Sequence, residues 1–184
     1  MSSLQNNNIT AQVSGLVLTL ILAIGLVGIP KALAQAYNVI SDASAEQTDG
    51  KIKLTVTAEG DIAKKPDDYI DSVPVFGYAW LEGGKGVVAA IHPSFDDSAQ
   101  NPKSWHTHPV TIAGNGCIEK LGTSQGGISI NGDTLTLQIS VKQADNIDPS
   151  KAASFEVHEE PSCPPVEGGD ARLKVTVISE VSIP

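Results

Sequence analysis

Beyond residue 34 this chain has almost no helical periodicity; short apolar or alternating runs recur between clusters of Gly, Pro, Asn and Asp. Runs of that length bury their apolar side only by pairing as strands, so the pattern restricts the chain to an all-β fold. Lys51 to Ala58 sets Ile52, Leu54 and Val56 against Lys53, Thr55 and Thr57, a half-buried strand. Pro74 to Leu81 is apolar on both faces and reads as a central strand. On it, Phe76, Tyr78 and Trp80 share one face and read as core. Glu82 to Gly86 forms a hairpin loop, and Val87 to His92 returns as the partner strand. Trp105 to Ile112 contains Pro109, which places it at a sheet edge. Ile118 to Leu121, Ser154 to His158 and Leu173 to Ile183 supply further strands. Gly127 to Ile130 and Thr134 to Val141 flank Asn131-Gly132, the strongest hairpin signal. Gln143 to Ser150 reads as a single helical turn. The spacing, roughly ten residues per strand, predicts an antiparallel β-sandwich or jelly-roll-like domain.

The N-terminus obeys different rules. Val13 to Ile29 is almost wholly apolar, Pro30 and Lys31 end the run, and Ala32-Leu33-Ala34 offers the small residues that a signal peptidase accepts. Cleavage after Ala34 divides the chain into a signal peptide, 1–34, and one exported domain, 35–184. Met1 to Gln12 contains no Lys or Arg, so a retained single-span anchor stays open, since about 20 apolar residues cross a bilayer. Either reading can place the domain outside the cytoplasm, secreted or anchored at the outer face of the cytoplasmic membrane. Contact with a membrane is then expected only through residues 13–29, and only if the segment is kept.

Lys31 is the sole charged residue before Gln35, so the 12 basic and 21 acidic residues become 11 and 21 in the exported part, a net charge near −10. Phosphate binding needs a basic surface, so nucleic acid is excluded as a partner. Cys117 and Cys163 are the two cysteines, and an exported domain with an even number pairs them. The alternative, two thiolate metal ligands, lacks a Cys-x-x-Cys spacing.

Trp105-His106-Thr107-His108-Pro109 is the constellation that carries chemistry. Residues two apart on a strand point the same way, so both imidazoles project from one face. His92 ends the preceding strand and can supply a third nitrogen. Three such donors suit zinc with an open fourth position, or copper, which nitrogen ligands bind more tightly. The bland reading is an ordinary polar pair. Val110 and Ile112 share the parity of the histidines, which places the pair half-buried at a sandwich end. His158 reads as a solvated histidine in an acidic loop. Asp67, Asp68 and Asp71, and Asp96 with Asp97, form loop clusters that resemble calcium ligands without an EF-hand spacing. No nucleophile elbow, phosphate loop or dinucleotide fingerprint is present.

Trp105-His106-Thr107-His108-Pro109, with Cys117 and then Ser124-Gln125-Gly126-Gly127 downstream, resembles a group of exported proteins of ammonia-oxidising archaea that have no known activity. The resemblance covers roughly Phe76 to Ile139. It implies an archaeal cell surface or pseudo-periplasm, and it shifts the metal choice toward copper. A signal peptide before a β-sandwich also resembles archaeal pilus subunits that join by strand donation. Ala36-Tyr37-Asn38-Val39-Ile40 would be the extended donor.

Three functions follow. The first is an exported copper- or zinc-binding protein of the cell envelope, with His92, His106 and His108 as ligands. The second is a structural or adhesive envelope subunit that self-associates and carries incidental histidines. The third is a zinc hydrolase or lyase, against which stands the lack of a placed general acid or base.

Overall fold

The computed structural model describes residues 36–64, 75–92, 104–123 and 126–184. Residues 1–34, Asp67, Asp68, Asp71, Asp96, Asp97, Ser124 and Gln125 lie outside them. The described strands belong to one compact unit, Gln35–Pro184. Among the described residues no helix is long and apolar enough to cross a membrane.

The fold is all-β, with two antiparallel sheets. The strands are β1 (Ile40–Thr48), β2 (Lys51–Ala58), β3 (Val75–Glu82), β4 (Lys85–Ile91) and β5 (His106–Ile112). They continue with β6 (Ile118–Leu121), β7 (Gly127–Asn131), β8 (Thr134–Ser140), β9 (Lys151–Glu159) and β10 (Leu173–Ser182). The smaller sheet runs β1-β2-β8-β7 and the larger β10-β9-β3-β4-β5-β6. Tight hairpins dominate, and the long-range pairings β2 with β8 and β3 with β9 fix how the sheets are assembled.

Several expectations change. Ala36–Asn38 is a 3₁₀ turn and the chain then enters β1, which pairs with β2. Of the 36–40 segment expected to be extended, only Ile40 is in a strand, as the first residue of β1. β1 is polar and alternates poorly, so hydropathy concealed it; its turn residues Asp49 and Gly50, with φ of 50° and 73°, are the signal that marks the β1–β2 hairpin. β5 is not an edge strand, because β6 covers it. The Pro109 carbonyl accepts from Gly122 N on the β6 side. A residue's N and O point the same way in an antiparallel ladder, so the missing donor faces the place where β6 has already ended. The 143–150 segment carries helix-type turns, with Ala144 N donating to Ser140 O at 3.0 Å and Ile147 N to Ala144 O at 3.2 Å.

Alternation sorts the larger sheet into two environments. Phe76, Tyr78 and Trp80 from β3, with Val87, Ala89 and Ile91 from β4, pack against Leu54, Val56, Leu135 and Leu137 of the smaller sheet. The opposite face carries Val75, Ala79, Leu81, Val88, Ala90, Val110, Phe155 and Val157. That second face is enclosed because the larger sheet curls until its edges meet. Val175 N donates to Gly116 O at 2.9 Å, Cys117 bridges to Lys174, and Glu167 N donates to Glu119 O at 2.8 Å. Register shifts at Val177/Ser179 and Thr111/Ile112 supply local bends. The Cys117–Cys163 disulfide, with Cα atoms 5.5 Å apart, ties β6 to the β9–β10 connection. Such a bond fits an oxidising compartment.

Candidate metal centre

The three histidines are positioned by what lies on the other side of their strands. Trp105 and Thr107 point toward the smaller sheet. Trp105 stacks on Tyr78 at 5.8 Å and 11°, and its Nε1–H donates to Ala63 O at 2.9 Å. Thr107 is 1% exposed, and its hydroxyl accepts from Gly126 N at 3.3 Å. With those two residues locked inward, the pleat turns His106 and His108 to the curled face. Cross-strand register places His106 beside Ala90 and His108 beside Val88, and His92 follows Ala90 by two residues on the same face of the strand.

One potential ligand nitrogen from each of His92, His106 and His108 lies within 4.8 Å of the others. Among the described residues this is the group able to hold a metal ion. Their exposures are 6%, 5% and 4%, so the expected half-buried pair is instead a buried triad. The reason is the curl, which folds the far strands over what a flat sandwich would leave at its rim. His158 pairs across to Lys174 on β10 and stays outside the cluster.

The tautomers follow from chemistry. His106 Nδ1 lies 2.8 Å from Ser104 O, and His108 Nδ1 lies 2.8 Å from Gly122 O. A carbonyl oxygen only accepts, so both Nδ1 atoms donate, and each neutral ring carries its lone pair at Nε2. A ligating histidine whose other nitrogen donates to a carbonyl is the arrangement that orients imidazole toward a metal. Gly122 has a steric role here: a Cβ on it would meet Pro109 Cγ at 2.7 Å, so only glycine brings this carbonyl to His108. His92 Nε2 stands 2.7 Å from His106 Nε2. Because His106 presents a lone pair there, His92 Nε2–H donates. Nitrogens sharing a tetrahedral zinc stand about 3.3 Å apart, so an ion replacing that proton requires His92 to withdraw by about 0.6 Å.

The backbone carbonyls that hold the rings leave no mark in the sequence and were missed. A second missed feature is a cavity of about 930 Å³ against the curled face, lined by His92 and His108 at one end and by Val88, Val110, Ala153 and Phe155. Its signal was present: β3 alternates large Phe76, Tyr78 and Trp80 with Val75, Gly77 and Ala79. Compared with protein-family models, curated proteins and solved structures, the chain matches none.

Proposed function

We propose that this is an exported metal-binding β-sandwich protein of the cell envelope, holding copper or zinc at His92, His106 and His108. One observation carries the reading: three buried imidazoles from two adjacent strands bring ligand nitrogens within 4.8 Å of one another. The carbonyl anchors on His106 and His108 support it by fixing which nitrogen faces the site. Nitrogen donors favour copper over zinc in raw affinity, and the resemblance to archaeal envelope proteins favours the same metal. Export is supported by the apolar Val13–Ile29 run, the Ala32-Leu33-Ala34 site and the disulfide.

The test is a metal count. The full chain is offered copper and zinc separately, desalted, and analysed for bound ion beside the His106→Ala/His108→Ala variant. About one ion per chain in the parent and none in the variant is the expected result. No ion in either, or equal ions in both, overturns the centre and leaves the envelope-subunit reading.

A further inference from the structure

The larger sheet curls into a six-stranded wall, and the space inside it is a cavity of about 930 Å³ lined from all six strands. That volume falls in the range of small-molecule sites. Closure makes it an interior rather than a groove: Val175 N donates to Gly116 O at 2.9 Å, and Glu167 N to Glu119 O at 2.8 Å. Even about eight strands enclose a width that ordinary side chains just fill, so a six-stranded wall keeps open space only where its side chains are short. They are short in the middle rows. Ala79 faces Val88 on one side and Ala153 on the other, and both alanines are buried. Phe155 lies over Gly77, where a Cβ would meet its Cζ at 2.7 Å, so its ring packs against β3 instead of across the space. Protein interiors are close-packed, and an unfilled void forfeits the contacts its walls would make. On the other face of the same sheet, Phe76, Tyr78 and Trp80 fill their core, so a space of this size calls for an occupant.

The wall selects the kind of occupant. Val75, Ala79 and Leu81 carry its aliphatic lining along β3 for about 20 Å, six residues at strand rise, and a hydrocarbon chain can lie along that length. Among the described residues the exposed large apolar side chains are Leu121 and Val177, 38% and 50% exposed, and both belong to this wall. Exposed apolar area is thus concentrated where a lipophile would be taken up. Lys151 and Glu180, also in the wall, pair with each other at 3.0 Å and offset each other's charge. Burial of apolar surface is the interaction such a lining offers.

We propose that this cavity binds an uncharged lipophile with a long hydrocarbon chain. The aliphatic wall alone holds it, whether or not His92, His106 and His108 carry a metal. The probe is N-phenylnaphthylamine, an uncharged fluorophore that brightens in apolar surroundings, titrated into the full chain and then displaced with dodecanol. Ala153→Phe and Ala79→Phe, two independent ways to fill the cavity, are titrated alongside. The expected result is about one probe per chain, displaced by dodecanol, with binding roughly tenfold or more weaker in a Phe variant that keeps the parent's near-ultraviolet circular dichroism. No saturable binding overturns the inference, as does a probe that dodecanol fails to displace. Equal binding to the folded Phe variants overturns it too, and places the probe elsewhere, such as on the apolar Val13 to Ile29 run. Thermal unfolding of the parent chain gives a reading that needs no variant. Dodecanol bound in the folded domain raises the midpoint, and an unchanged midpoint overturns the inference. That is also the result if another part of the chain occupies the cavity.

Discussion

On β3, Phe76, Tyr78 and Trp80 face the smaller sheet, while Val75, Gly77, Ala79 and Leu81 face the cavity. The same strand thus builds a filled core on one side and leaves room on the other. The filled side is an aromatic cluster with defined geometry: Phe76 meets Tyr78 edge-on at 5.3 Å, and Tyr37 meets Phe76 at 5.2 Å. Tyr78 donates to Tyr37 O at 2.6 Å, so even its polar tip is satisfied. The open side consists of short aliphatic residues that line a space without filling it. Adjacent residues of one strand therefore divide the work: the inner face stabilises the domain, and the outer face holds the buried imidazoles beside a volume a ligand can enter.

If this division holds, truncations on the inner face cost more than those on the outer one. Trp80 is fully buried, so Trp80→Ala should destabilise the domain by about 4–5 kcal/mol in chemical denaturation. A loss below about 2 kcal/mol would break the comparison at its strongest point.

The outer face depends on closure. Cys117 and Cys163 are separated by 46 positions in sequence, so Cys117→Ser/Cys163→Ser should remove about 4 kcal/mol by the chain-entropy account. Unchanged denaturation midpoints would show that the Val175 N to Gly116 O hydrogen bond and the backbone bridge between residues 117 and 174 close the sheet without help.

Val87 and Val88 give the sharpest test, being neighbours of one type on opposite faces, 0% and 5% exposed. Val87→Ala should cost about 2.5 kcal/mol, because its contacts surround it, and Val88→Ala about 1 kcal/mol, because part of its surroundings is already cavity. Equal losses would mean that the two faces pack alike.

Tyr37, at the margin of the aromatic cluster, has the smallest effect. Burial, and then the Glu156 carboxylate, push its phenol up to about 12 from 10.0. The folded state therefore holds the phenol proton more tightly than the unfolded chain does. That contribution to stability is complete below pH 10 and is lost as pH rises toward 12. Ultraviolet titration of the folded protein against Tyr37→Phe should show one tyrosine ionising late; ionisation near pH 10 would place Tyr37 in water.

Much of the strand order along the chain was legible. β2, β3, β4, β6 and β8 follow runs whose alternation or apolar density is plain. β1 was not, because Ile40–Thr48 is largely polar and its hairpin turn is the clearer cue. The β5 assignment erred for a specific reason: Pro109 forbids one hydrogen bond, and whether that disqualifies a central position depends on where the neighbouring strand stops. The histidine trio was readable as spacing, since His-x-His shares a strand face and His92 ends the strand before it.

From the sequence alone came the strand composition, the separation of an apolar N-terminal segment from an acidic domain, and the pairing of two strands that carry His92, His106 and His108. These depend on local rules, a period of two and short hairpins, which act over a few residues. Tertiary structure alone decided that the larger sheet curls, that the imidazoles are buried, that Ser104 and Gly122 carbonyls set their tautomers, and that a cavity opens below them. The curl and the cavity depend on β6 meeting β10 more than fifty residues away in the chain. Curvature accumulates over six strands from many small twists and bends, and no single residue records the sum.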